Sequence, residues 1–241
     1  MYNGSGFGST FDRSSISRNE GLRKYMLNIY NYMSVALLIS ALVSLIALRS
    51  GVALLLASSP LIMFLVALSP LFMSMYMATR FNKMSVNGAI GFLCAFAGVM
   101  GLSLSMIFLV FTASQVASAF FITASMFLSA SIYGYITKKD LSPIGRALFM
   151  MIIGLLIASV VNMFMRSGGF DFLISCSFVV IFSVMTAYDT QRLKNVYYAL
   201  GSNNETAQKV AVFGALQLYM DFINIFISML HIIRGMDSRG Q

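Results

Sequence analysis

Charge is scarce in this sequence. Of 241 residues only 10% are charged and only eight are acidic, whereas a soluble domain carries roughly 25% charged residues. A soluble fold of this length would have too little charge to cover its outside. Histidine is scarcer still: the single one, His231, excludes a histidine-rich metal centre. The two cysteines, Cys94 and Cys176, sit inside apolar runs without a CxxC spacing, which reads as two free thiols rather than a disulfide or a metal pair. No lysine falls within an apolar run, which argues against a retinal Schiff base. There is no HExxH, no Gly-rich nucleotide loop, no hydrolytic triad and no GxGD-like intramembrane protease motif. The chain is therefore not expected to be an enzyme or to need a cofactor.

What the sequence has instead is hydrocarbon: 59% of its residues are hydrophobic, with 21 Phe and 19 Met. Apolar runs follow one another at approximate spans 25–48, 52–79, 84–111, 116–136, 144–165, 170–191 and 210–233. About 20 residues at 1.5 Å each cross a bilayer core of about 30 Å. Lipid admits only helices or closed barrels, and the alternating segments of about 10 residues that a barrel needs are missing. The expectation is an all-α polytopic membrane protein of seven transmembrane helices. The break between the third and fourth runs carries no charge and is placed at Thr112-Ala113-Ser114-Gln115, since a single helix over 84–136 would be far too long. Pro60 and Pro70 fall in the second run, where Pro60 is a candidate helix start and either is a candidate kink. The polar, Gly- and Ser-rich residues 1–24 read as a disordered cytoplasmic tail rather than a signal peptide, and 234–241 as a short C-terminal tail.

The net charge of +8 marks topology, not nucleic acid, because the basic residues cluster in the breaks between runs. With seven crossings, only Arg49, Arg166, Arg234 and Arg239 of the 16 basic residues face away from the N-terminal side. The positive-inside rule then puts the N-terminus in the cytoplasm and the C-terminus outside.

Six acidic residues fall in tails, loops or helix edges. Asp189, in the inner part of the sixth run, and Asp221, near mid-depth in the seventh, do not. A carboxylate in hydrocarbon is costly and faces a cavity, a partner or an ion path. Gln217, Asp221, Asn224, Ser228 and His231 recur at helical spacing and form one polar stripe. Thr186 in the sixth run and Asn162 in the fifth are further polar candidates, although such residues often only bond a neighbouring helix. If Asp189 and Asp221 sit on facing helices they can share a proton, and deprotonated they would repel each other or recruit a cation such as Ca²⁺. Arg80, at the inner end of the second run, is open to two readings: a latch on Asp189 that protonation releases, or an anchor snorkelling to headgroups.

Four stretches carry a resemblance: SPLFMSMYMATRFNKMS at 69–85, SIYGYITKKDLSPIGRALFM at 131–150, TAYDTQRLK at 186–194 and GALQLYMDFINIFISML at 214–230. The chain resembles the Bax inhibitor-1 family, also described as the transmembrane Bax inhibitor motif family, in the manner of a bacterial member. The resemblance implies six helices around a central seventh and a pH-sensitive calcium leak. It further implies a proton-sensing, calcium-binding pair at Asp189 and Asp221 with a latch at Arg80. It places the chain in a bacterial inner membrane, with the lipid bilayer, Ca²⁺ and protons as partners. A rival reading is a non-transporting regulator of a membrane-bound ATP-dependent protease or stress response.

Overall fold

The computed structural model describes residues 7–80, 83–200 and 205–237, and within them there is no strand. The helices are α1 (Phe7–Arg49), α2 (Val52–Ser58), α3 (Pro60–Arg80), α4 (Val86–Ser105), α5 (Ile107–Val110), α6 (Ala113–Ile136), α7 (Ser142–Met165), α8 (Gly168–Leu200) and α9 (Glu205–Asp237). The chain is a polytopic all-α membrane protein.

Six helical segments among the described residues are long and apolar enough to span a bilayer, not the expected seven. The difference lies in the second run, which is divided at Ser59 into α2 and the 21-residue α3 and of which only Phe64–Met77 counts as an apolar helix among the described residues. Pro60 opens α3, where its missing N–H costs no helical bond, while Pro70 is carried inside that helix. Helix α1 starts at Phe7 rather than at residue 25, so most of the expected tail is helical. The polar loop expected over 192–209 is also mostly helix. Leu193 and Tyr197 are buried there, so α8 continues to Leu200 on an amphipathic pattern that a hydropathy window overlooks.

Other boundaries follow local chemistry. Thr112 and Gln115 form a reciprocal capping box at the start of α6, which is why the uncharged TASQ segment is a turn. Ser85 caps α4 by accepting from the Gly88 N–H at 3.1 Å. Asp140 Oδ1 accepts from the Ser142 N–H at 2.9 Å. That bond holds the exposed Asp140 carboxyl below the usual carboxylate range.

Helix α9 sits at the centre, packed against α1, α4, α6 and α8. Tyr219 is fully buried, edge-on to Phe96 of α4 with ring centroids 6.0 Å apart, and its hydroxyl lies 2.6 Å from Ser40 Oγ of α1. Ser40 has one hydroxyl proton and directs it to backbone carbonyls of Ala97 and Ala36, so Tyr219 is the donor in that pair. Two glycines permit backbone to meet backbone: Gly101 lets α4 approach Ser40 of α1, and Gly134 lets α6 approach Ala187 of α8. The outer helix α7 exposes Phe149, Leu156 and Phe164, a surface that suits hydrocarbon and not water.

Candidate functional site

The two acidic residues singled out from the sequence meet. Asp189 of α8 and Asp221 of α9 are each only 5% exposed, and their carboxyl groups lie close enough to act on each other. Carboxylate oxygens only accept, so a bond between two carboxyl groups requires a proton on one of them. Such a proton would tie α8 to α9. Asp221 Oδ2 is buried and receives no hydrogen bond from any N–H or O–H donor of the protein.

The cation beside the pair is not the expected one. Arg192 Nη1 lies 3.8 Å from Asp189 Oδ1, an ion-pair separation beyond hydrogen-bond reach. Arg80 is exposed instead, its guanidinium 5.9 Å from the Tyr76 ring on its own helix. The reason is topological: α3 packs on α4, not on α8, whereas Arg192 is three residues from Asp189 on one helix face. Arg192 is half-exposed and lines a cavity of about 270 Å³ with Tyr188, Gln191 and Asn195, so the pair's charge neighbour reaches toward the end of the bundle.

The supporting polar residues divide. Ser228 is buried and Gln217 and Asn224 are half-buried on α9, so the polar stripe does line the central helix. Thr186 is fully buried, but its hydroxyl donates to the Phe182 carbonyl of its own helix at 2.8 Å. Asn162 lies elsewhere: its Oδ1 accepts from the Ser167 N–H at 3.2 Å and closes the turn from α7 to α8. His231 meets Asp171 at 3.3 Å, at the other end of α8 from Arg192.

Sequence reasoning passed over Gln191. Its side chain is buried, donates to the Lys139 carbonyl at 2.7 Å and accepts from the Leu141 N–H at 2.9 Å. It straps the link between α6 and α7 onto α8, two residues from Asp189. Gln191→Leu should leave the N–H of buried Leu141 unpaired at about 1–3 kcal/mol. Hydrogen exchange of the Leu141 amide should then speed up markedly, and an unchanged rate would show that the strap carries no load.

Among the described residues no group of three or more His, Cys, Asp or Glu side chains is arranged to hold a metal. Asp189 and Asp221 together offer at most four carboxylate oxygens, fewer than the 6–8 that Ca²⁺ prefers. Any cation here would keep water or backbone oxygens.

Comparison with known proteins places these features in company. The family model described as "Inhibitor of apoptosis-promoting Bax1" matches residues 22–239. The inner membrane protein YbhL of Escherichia coli K12 is 36% identical over 91% of this chain and 94% of its own length. An uncharacterized protein of Rickettsia prowazekii is 36% identical over 89% of this chain and 91% of its own. A further one from Caulobacter vibrioides is 38% identical over 93% of each.

Proposed function

This chain belongs to the Bax inhibitor-1 family, and from that premise we propose that it is a proton-gated calcium leak of a bacterial inner membrane. The observation that carries the reading is the approach of two buried carboxyl groups, Asp189 of α8 and Asp221 of α9, at the centre of the bundle, with no N–H or O–H donor of the protein on Asp221 Oδ2. The membrane assignment draws on the apolar helices and on the similarity to YbhL, named an inner membrane protein.

The direction of gating follows from which bond joins which helices. The Arg192–Asp189 pair lies within α8 and cannot tie two helices together, so the latch first expected at Arg80 has no equivalent across this contact. The shared proton is the interhelical tie. Loss of that proton leaves two negative charges side by side, worth about 4 kcal/mol of repulsion at 4 Å and an effective dielectric of 20. Separation of the helices, or entry of a cation between them, relieves it. The bundle is therefore closed when protonated and conducts when deprotonated.

The test is Ca²⁺ entry into proteoliposomes across pH 6 to 8. Flux should rise with pH, and flux equal to that of empty liposomes throughout would remove the function. Arg192→Ala takes away the cation that favours ionised Asp189, so the rise should move to higher pH. Arg80→Ala should leave the profile in place. The reverse outcome would restore the latch to Arg80.

A further inference from the structure

Helices α1 and α6 both pack on α9, and an open groove of about 500 Å³ lies between them. Arg23, Met26 and Tyr30 of α1 and Ser131, Ile132 and Tyr135 of α6 line it. The volume falls within the about 300–1,000 Å³ typical of ligand sites. Two features set it apart from an ordinary greasy seam. Ser131 lines the groove and is only 4% exposed, and its buried hydroxyl has no partner. A buried hydroxyl without a partner is costly, so the groove supplies a donor that the protein itself does not use. At the mouth, Arg23 is exposed. Lys194 of α8 sits beside the same opening, its Nζ donating to the Tyr135 carbonyl at 2.7 Å. The rim is thus cationic and the interior apolar.

The geometry points to a site for one anionic phospholipid, its phosphate on Arg23 and one acyl chain laid along the groove. Depth decides the occupant. Ser131 stands five residues before the end of α6 at Ile136, about 7.5 Å into the bilayer from that end. A phospholipid carries its phosphate outermost and its ester carbonyls deeper, in the same order as Arg23 and Ser131. The Ser131 hydroxyl donates to an ester carbonyl, an acceptor that neither a free phosphate nor bare hydrocarbon supplies at that depth. Because α1 and α6 flank the central helix, the lipid fills a gap in its protein coat. The site is independent of the calcium reading.

The test uses the full chain in nanodiscs of equal phosphatidylglycerol and phosphatidylcholine, followed by native mass spectrometry of the released protein. One phosphatidylglycerol per chain should be retained in preference to phosphatidylcholine. Arg23→Gln, a surface change that leaves packing intact, should lower that retention roughly tenfold, the effect of one lost charge-assisted contact. Ser131→Leu fills the groove and should lower it as well, while Phe149→Leu on the exposed face of α7 should not. Equal retention of the two lipids overturns the proposal, and so does retention that survives both variants. Loss in only one of the two also overturns it, because a single molecule has to bridge both residues.

Discussion

Asp221→Asn should abolish the pH dependence of calcium flux and hold the protein closed. The substituted amide donates to Asp189 whatever the pH, so the tie between α8 and α9 no longer depends on a shared proton. The repulsion that would open the bundle cannot develop either. Losing about 4 kcal/mol of charge–charge energy bounds the effect at roughly a thousandfold in the open-to-closed ratio. Flux at pH 8 should fall toward the level of empty liposomes, with the protein still folded and inserted. Asp189→Asn removes the same repulsion and should also lie flat, so two variants at opposite ends of one bond report on one switch. A normal pH profile in either would show that the pair is structural and that gating lies elsewhere.

The second large effect concerns assembly. At Gly134 an added Cβ would collide with the Ala187 carbonyl of α8, and backbone cannot swing aside as a long side chain does. Gly134→Ala should cost about 1–3 kcal/mol through overpacking, and Gly134→Leu more, pushing α6 off α8 just where Asp189 is held. Gly154 of α7 has open space around it, so Gly154→Leu should be tolerated. Thermal unfolding in detergent should show the contrast: a fall on the order of 3–10 °C for Gly134→Ala, outright loss of the monodisperse species for Gly134→Leu, and little change for Gly154→Leu. Equal stability across the set would mean that α6 and α8 are more loosely joined than their backbones suggest. Gly134→Ala should also disturb gating, since the contact it breaks is two residues from the acidic pair.

Hydropathy determined the class of protein, because apolar runs of bilayer length with almost no charge inside them admit few alternatives in lipid. Cost determined the site candidates: a carboxylate amid Phe, Ile and Leu is expensive wherever the chain goes, which is why Asp189 and Asp221 stood out before any contact was known. The turn at Thr112-Ala113-Ser114-Gln115 was legible from length alone, since one helix over 84–136 overshoots a bilayer, and the structure adds the capping box that fixes it. Distant partners were not legible. Ser40 and Tyr219 are 179 positions apart, and nothing local in either segment announces the other. Helix ends beyond the lipid were missed because Arg192–Leu200 is amphipathic rather than apolar. The cation at Asp189 was misplaced because the sequence says that Arg80 and Asp189 share a side of the membrane but not that α3 stacks on α4. Composition fixes what a segment must bury. Only packing decides against which neighbour it buries it, because many helix arrangements cover the same apolar area and close contacts such as Gly134 on Ala187 select one.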